Sequence, residues 1–186
     1  MTNAAEATKT VIHCFRQGGK LLLCGNGGSA ADCAHISGEL LKGFLKKRPL
    51  PQSLKKLIGE AWADNLQMGL PVIDLTANSV LISAVINDLD GANVFAQQIV
   101  AYGLPGDVLL CISTSGNAEN VRRAAITAKA KGLTVIGLTG VGGGKLLEIC
   151  DLTVRAGHTE TYRIQEEHIA FYHQLCIDVE NAFFSE

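Results

Sequence analysis

The chain has 186 residues, of which 47% are apolar and 18% charged, and its formal net charge is −2 at pH 7. A chain of this length and composition is expected to fold as one domain with a buried core, and its small net charge excludes a general attraction to nucleic acid or acidic membranes. No apolar run approaches the roughly 20 residues of a membrane-spanning helix, and the N-terminus lacks a signal-peptide pattern, so we expect a cytoplasmic protein.

The first 44 residues predict a helix, a strand and a second helix. Apolar residues recur at helical spacing over 4–17, an apolar run over 20–24 predicts a buried strand, and an Ala-rich segment predicts a helix to about Phe44. Between this strand and this helix lies Gly25-Asn26-Gly27-Gly28-Ser29, called here the first loop. Free N–H groups at a helix start lie at the positive end of its dipole, glycines let an anion approach, and the Asn and Ser side chains add donors. The first loop therefore predicts a phosphate site.

Two other interpretations of the first loop are open. Gly25, Gly27 and Ala30 also satisfy the dinucleotide fingerprint G-x-G-x-x-G/A. That fingerprint requires an acidic residue about 20 residues further on, at the end of the second strand. The chain has a basic segment there, and Asp74 comes too late, so the nucleotide interpretation is disfavoured. The simplest alternative is a glycine turn that binds nothing.

Residues 45–71 differ in composition from the rest of the chain. They contain three prolines, a short helical pattern over 54–68 and five clustered basic residues, Lys46, Lys47, Arg48, Lys55 and Lys56. Such a short charge run is typical of a solvated surface, with a nucleic-acid patch as the alternative. We therefore expect these basic side chains to be exposed.

The rest of the chain alternates strands with helices. The predicted strands are 72–75, 107–112, 133–139 and 152–155, and the predicted helices are 79–86, 93–103, 119–131, 145–149 and 162–184. This alternation predicts an α/β fold, a three-layer sandwich in which a five-stranded, mainly parallel sheet is flanked by helices. Ligands of such sheets bind outside the carboxyl ends of the strands.

A second loop, Ser113-Thr114-Ser115-Gly116-Asn117, joins a predicted strand to a predicted helix. Three adjacent hydroxyls match the oxygens of a terminal phosphate, whereas a capped turn needs only one hydroxyl. Phosphate binding is therefore the favoured interpretation, and a capped turn is the alternative. Because both loops follow strand ends, we expect them to face one pocket.

Two pairs of polar residues each share a helix face: His35 with Glu39, and Gln165 with His173. Each pair alone is more typical of a surface contact. Together, the four side chains suit either a zinc site or a site in which Glu39 and His173 are free to act as acid and base. The six cysteines have no C-x-x-C spacing and lie mostly in apolar runs, so we expect no cysteine zinc site or redox pair.

Four motifs, in this order and spacing, carry a resemblance to a known family: Cys24-Gly25-Asn26-Gly27-Gly28-Ser29, Ile112-Ser113-Thr114-Ser115-Gly116-Asn117, Leu138-Thr139-Gly140 and Arg163-Ile164-Gln165-Glu166. The chain resembles the SIS (sugar isomerase) domain over nearly its whole length, and specifically the sedoheptulose-7-phosphate isomerases (phosphoheptose isomerases) of bacterial heptose synthesis. The resemblance implies one SIS domain of flavodoxin-like topology over residues 1–186, with a helical insertion at about 51–70. It also implies a homotetramer whose active sites lie between subunits.

The resemblance further implies roles for individual residues. Glu39 and His173 are the expected catalytic pair, and one zinc ion per subunit is expected at His35, Glu39, Gln165 and His173. The expected substrate-binding residues are Asn26, Gly27, Gly28, Ser29, Asn87, Asp88, Ser113, Thr114, Ser115, Asn117 and Gln165. Ala118 stands where the family usually has a further phosphate-binding Ser, which removes one donor.

The implied reaction converts a ketose phosphate, sedoheptulose 7-phosphate, into the aldose D-glycero-D-manno-heptose 7-phosphate by proton transfer through an enediol. Such a reaction needs a carboxylate base, here Glu39, and a donor that titrates near neutral pH, here His173. The alternative is a non-catalytic SIS-domain protein that binds a sugar phosphate or associates with the DnaA initiator. The DnaA-associating branch lacks the Glu/His pair, so the presence of both residues favours an enzyme.

Overall fold

The computed structural model describes residues 1–184, with the exception of the Glu60 side chain. One parallel sheet contains β1 (Leu21–Gly25), β2 (Val72–Asp74), β3 (Val108–Ile112), β4 (Thr134–Thr139) and β5 (Leu152–Arg155). The helices are α1 (Ala4–Arg16), α2 (Gly28–Leu41), α3 (Gln52–Ile58), α4 (Glu60–Ala63), α5 (Ser79–Asp88), α6 (Val94–Tyr102), α7 (Glu119–Ala130), α8 (Leu146–Ile149) and α9 (Thr161–Phe183), with a 3-10 turn at Gly91–Asn93. The predicted α/β sandwich is confirmed.

The strand order, β2-β1-β3-β4-β5, is the flavodoxin-like order that the resemblance implies. β1 pairs with β3 along its whole length, from Leu21 opposite Val108 to Gly25 opposite Ile112. Because the order of the strands reverses between β1 and β3, a crevice forms at the carboxyl ends of these two strands. The first loop follows β1 and the second loop follows β3, so both loops lie at this crevice.

Both faces of the sheet are buried, because successive side chains of a strand point to opposite faces. Leu21 and Leu23 pack into one core with α1, α2 and α9, whereas Leu22 and Cys24 pack into the other with α5, α6 and α7. The strands therefore read as continuous apolar runs in the sequence. Within residues 1–184, no helix combines the length and the apolar character that crossing a membrane requires.

Residues 42–71 depart from the sequence-based expectation. α2 ends at Leu41 rather than at about Phe44, and the single helical pattern over 54–68 is divided into α3 and α4 by Gly59, whose φ is 108°. Lys47 is exposed, as predicted. The expectation of exposure is wrong for Arg48, which is 1% exposed because its guanidinium finds buried partners on α2 and α9.

Candidate active site

The first loop is the short turn between β1, which ends at Gly25, and α2, which begins at Gly28. Gly27 has a φ of 56°, a conformation that residues with a Cβ atom rarely adopt. No side chain caps α2, and Ser29 is buried in its first turn. The amides of Ser29 and Ala30 donate to the carbonyls of Asn26 and Gly27, both at 3.0 Å, so the helix-start amide that remains for an anion is that of Gly28.

Asn26 connects the two loops through a residue that sequence reasoning missed, Asn120. The two side-chain amides exchange hydrogen bonds, each with a donor–acceptor distance of 2.9 Å. Asn120 lies in the first turn of α7, directly after the second loop, and its Oδ1 also accepts from the backbone N–H of Val121 at 3.0 Å. The only sequence signal for this residue was an Asn at a predicted helix start. The pair holds the starts of α2 and α7 at a fixed separation.

The second loop runs from the buried Ser113 to Asn117, and α7 begins at Glu119 without a side-chain cap. Asn117 maintains the shape of the loop. Its Oδ1 accepts from the backbone N–H of Lys145 and its Nδ2 donates to the carbonyl of Ser115, both at 3.0 Å. The Asn117 side chain is therefore engaged by the protein itself, and its predicted contact with substrate stays a prediction.

The two loops line different cavities in one copy of the chain. Thr114 and Ser115 line a cavity of about 150 Å³ together with the turns that follow β4 and β5. Asn26 lines another of about 490 Å³, whose apolar wall includes Ile82 and Ile86 of α5. The hollow at Asn26 also reaches Asn120 at the start of α7 but not the hydroxyls of the second loop, so a pocket shared by the two loops stays a prediction.

His35 and Glu39 lie one turn apart on α2 and contact each other, with His35 Nε2 3.3 Å from Glu39 Oε1. The other ring nitrogen of His35, Nδ1, lies 2.9 Å from the hydroxyl of Tyr172 on α9. The His35 side chain is 43% exposed and the Glu39 side chain 17% exposed. A ligand can therefore reach both side chains from solvent.

His173 on α9 completes this cluster. Its ring centroid is 5.0 Å from that of His35 and 5.8 Å from that of Phe44. Its Nε2 atom is buried and has no hydrogen-bond partner among the described residues. Because native proteins rarely leave a buried polar atom unpaired, this nitrogen is a candidate contact for a ligand or for a partner subunit. The predicted pair, Glu39 and His173, thus converges on His35.

Two further residues that sequence reasoning missed, Asp32 and Tyr172, support His35. Both are buried, at 6% and 1% exposure. Burial raises the pKa of Asp32, although a hydrogen bond from Tyr172 and the nearby His35 oppose the shift. Burial and the Asp32 carboxylate also raise the pKa of Tyr172, so its hydroxyl keeps its proton at neutral pH. The hydroxyl lies between Asp32 and His35 and orients the imidazole; the three-residue spacing of Asp32 and His35 was the available signal.

Gln165 lies at the other end of the contact between α2 and α9. Its amide nitrogen occupies the space that a Cβ atom on Gly28 would fill. Gln165 precedes His173 by eight residues, which is about 12 Å along a helix axis. The structure thus places Gln165 against the first loop, and its expected part in a zinc site with His35, Glu39 and His173 stays a prediction.

The donors of the His35, Glu39 and His173 cluster suit zinc in type. The 3.3 Å between His35 Nε2 and Glu39 Oε1 is close to the separation of about 3.3–3.5 Å between two ligands of a tetrahedral zinc ion. The unpaired Nε2 of His173 is a third donor, and the second nitrogen, of the right kind. The described residues nevertheless contain no group of three His, Cys, Asp or Glu side chains already arranged around a metal position. The side chains would have to close around the ion.

Asn87 and Asp88 lie at the exposed end of α5, where Asn87 Nδ2 donates to Asp88 Oδ1 at 2.7 Å. They line a surface hollow together with Ser79 and Ser83 of the same helix, apart from the cavities of the two loops. One copy of the chain therefore does not bring these two predicted substrate contacts to either loop, and their role stays a prediction.

The SIS-domain family model matches residues 1–66 and 63–140 of the chain. The phosphoheptose isomerase of Rhodospirillum rubrum is 45% identical over 181 residues, which cover 97% of this chain and 86% of that protein. The phosphoheptose isomerase of Aneurinibacillus thermoaerophilus is 40% identical over 178 residues, 96% of this chain and 80% of that protein. The solved structure of a phosphoheptose isomerase from Francisella tularensis matches with a TM-score of 0.82 at 32% identity, over 96% of this chain and 85% of that one. The matches to these three phosphoheptose isomerases extend over the sheet, both loops and α9.

Proposed function

Because the chain belongs to the phosphoheptose isomerases, a branch of the SIS-domain family, it is a sugar-phosphate isomerase, and we propose that it converts sedoheptulose 7-phosphate into D-glycero-D-manno-heptose 7-phosphate. The observation that carries the proposal is the cluster in which His35 contacts both the Glu39 carboxylate and the His173 ring. A carboxylate and an imidazole in one cluster open to solvent, on a helix whose first turn adjoins the first loop, match what a phosphorylated ketose needs.

The reaction moves a proton between neighbouring carbons and needs no redox partner. A base removes a proton from C1 of the ketose, the electron pair forms the C1–C2 double bond of an enediol, and the C2 oxygen gains a proton. A proton then returns to C2, and loss of the O1 proton gives the aldose. We assign the carbon proton to Glu39 and the oxygen protons to His173. His35 orients the Glu39 carboxylate through its Nε2 contact.

We assign to the two loops the binding of the substrate phosphate, at a distance from the reacting carbons. The amides at the starts of α2 and α7 and the hydroxyls of Ser29, Thr114 and Ser115 suit the oxygens of the terminal phosphate. Anchoring the far end of a seven-carbon substrate fixes C1 and C2 against the acid and base, which converts binding energy into correct orientation.

The conversion is tested by NMR of sedoheptulose 7-phosphate in deuterated buffer, with fructose 6-phosphate alongside. We expect formation of the aldose and entry of deuterium at the carbon next to the carbonyl, since an enediol exchanges its carbon proton. Glu39→Gln keeps the size of the side chain but removes the base, so turnover should fall by about 10²–10⁴-fold. The matched control is Glu6→Gln on the exposed face of α1, which should turn over like the wild type. Retention of turnover within tenfold in Glu39→Gln would show that Glu39 is not the base.

We also propose one zinc ion per subunit, held by His35, Glu39 and His173. Zinc, when bound, polarises the substrate oxygens and thereby acidifies the C1 proton. The resemblance implies Gln165 as a further ligand, and that role stays a prediction.

The metal proposal has its own measurement. Elemental analysis of protein purified without chelator should give about one zinc per chain, and His173→Gln should lower this ratio together with the affinity for added zinc, because one ligand of about four is lost. His13→Gln, an exposed histidine of α1, should keep the wild-type ratio. Wild-type protein that retains no zinc after incubation with it contradicts the proposal.

A further inference from the structure

One ion pair of the molecule is fully buried beside the candidate site. Arg48, in the segment between α2 and α3, lies with its Nε 2.9 Å from Oε1 of Glu180 on α9, and the two side chains are 0% and 1% exposed. The function described so far uses neither residue.

The remaining donors of Arg48 bind the end of α2. Nη1 donates to the carbonyl of Leu40 at 2.7 Å, and Nη2 donates to the carbonyl of Glu39 at 3.3 Å. α2 ends with Lys42 in an extended conformation, so the carbonyl of Glu39 would otherwise lack a partner, whereas that of Leu40 also accepts from the backbone N–H of Leu70 at 3.0 Å. Arg48 therefore caps the helical turn that carries Glu39.

Glu180 binds the segment that follows α2. Its carboxylate accepts hydrogen bonds from the backbone N–H groups of Phe44, Leu45 and Lys46 at 2.9, 2.8 and 3.1 Å. The Phe44 ring in turn lies against His173, seven residues and thus about two helical turns before Glu180 on α9. Burial alone would raise the pKa of Glu180, but these backbone donors and Arg48 lower it, so the carboxylate is ionised at neutral pH.

Stability is a poor explanation for a buried pair of this kind. Removing two charges from water costs several kcal/mol per ion, and replacing a buried ion pair with uncharged side chains of similar size is often neutral or stabilising. What the pair supplies here is geometry. Arg48 hydrogen-bonds to the turn that bears Glu39, and Glu180 hydrogen-bonds to the segment that packs on His173. The ion pair between them joins the turn to the segment.

We infer that Arg48 and Glu180 are positioning residues that hold Glu39 on α2 in register with His173 on α9. The catalytic consequence of this inference rests on the proposed function. The pair touches no reacting atom; it acts through the two residues that do.

The test is the double variant Arg48→Met/Glu180→Gln. It leaves no unpaired buried charge, and the Gln oxygen can still accept from the backbone, so the protein is expected to fold, as thermal melting will verify. The carbonyl of Glu39 loses its donor, however, and that of Leu40 keeps only the backbone N–H of Leu70. A shift of about 1 Å at a catalytic group costs up to roughly 100-fold, so we expect kcat to fall about 10- to 100-fold. KM should change less than about threefold, because the phosphate loops lie at the opposite end of α2 and binding common to ground and transition state is retained.

A second buried ion pair provides the matched control. Lys20 Nζ lies 2.6 Å from Asp107 Oδ2, with side chains 19% and 3% exposed, at the amino ends of β1 and β3 and so away from the site. Lys20→Met/Asp107→Asn should keep kcat and KM within about twofold even where its melting temperature falls. A folded Arg48→Met/Glu180→Gln protein with wild-type kcat overturns the inference, and so does an equal loss of kcat in the control variant.

Amide hydrogen exchange separates failure of the inference from failure of the proposed function. In Arg48→Met/Glu180→Gln, the amides of residues 39–46 should exchange at least about tenfold faster than in the wild type, while β1 keeps its protection. If the wild type turns over no sugar phosphate, the proposed function fails. The inference is then tested by hydrogen exchange alone, and it is overturned if residues 39–46 are as well protected in the variant as in the wild type.

Discussion

Gly28 is the residue at which the first loop and α9 come closest. The Gln165 amide nitrogen occupies the space of a Cβ atom there, so even the smallest side chain at position 28 must displace Gln165. Hydrogen bonds from uncharged amides to substrate contribute about 1.5 kcal/mol at most, and charge-assisted ones more. The position of Gln165 is therefore testable without changing Gln165 itself.

For Gly28→Ala we expect kcat/KM for the sugar phosphate to fall about tenfold, the equivalent of about 1.4 kcal/mol, because Gln165 can no longer lie over the first loop. The measurement is steady-state kinetics combined with thermal melting. The matched control is Gly38→Ala on the same helix, where an added Cβ meets nothing within 4 Å. That change should leave kcat/KM unaltered and stabilise the helix by up to about 1 kcal/mol. If Gly28→Ala has the same kcat/KM as the wild type, Gln165 does not contribute to substrate binding at this site.

At the scale of helices and strands, the sequence predicted most of the fold because parallel strands buried on both faces read as short apolar runs. β3 and β4 begin within one residue of the expected positions and end at the expected ones. The loops after β1 and β3 were recognisable for the same reason, since turn residues and hydroxyls interrupt apolar runs at the strand ends. The local pattern therefore carries the topology and the location of the site.

Contacts between distant segments were beyond local pattern. Arg48 stands in a basic run and looked solvated, yet its partner Glu180 is 132 residues away. Tyr172 and Asp32 likewise gain a role only when α9 packs along α2. The predicted end of α2 was wrong by about three residues. The last carbonyls of α2 are bound by Arg48, and the burial of Arg48 cannot be read from any single segment of the sequence. Sequence reasoning thus found the candidate acid and base but missed the residues that hold them.

At the scale of the whole molecule, two observations indicate that one copy of the chain is incomplete. Large apolar side chains are exposed around α3 to α6, among them Leu57, Trp62, Val80 and Leu89. Exposed apolar surface of this kind is typical of protein contacts. Asn87 and Asp88, expected to bind substrate, lie on α5 apart from both loop cavities. A second copy that brings its α5 to the first copy's loops would account for both, and such an arrangement agrees with the homotetramer that the family resemblance implies.

Subunit mixing tests this arrangement. Glu39→Gln and the double variant Asn87→Ala/Asp88→Ala are each expected to be nearly inactive. If each site combines α2 of one copy with α5 of another, random assembly of the two variants in equal amounts gives about a quarter of sites that carry neither change. Co-expressed variants, shown by light scattering to be tetramers of about four subunit masses, should therefore regain about a quarter of wild-type activity.

The control for subunit mixing uses two changes within a single cluster. Glu39 and His173 both contact His35 in the same copy, so Glu39→Gln mixed with His173→Gln should regain nothing. Recovery in the first mixture and none in the second requires a site shared between copies. No recovery in either mixture means that α5 serves the site of its own chain, and recovery in both means that Glu39 and His173 act in different copies' sites. If Asn87→Ala/Asp88→Ala is active by itself, α5 takes no part in the site.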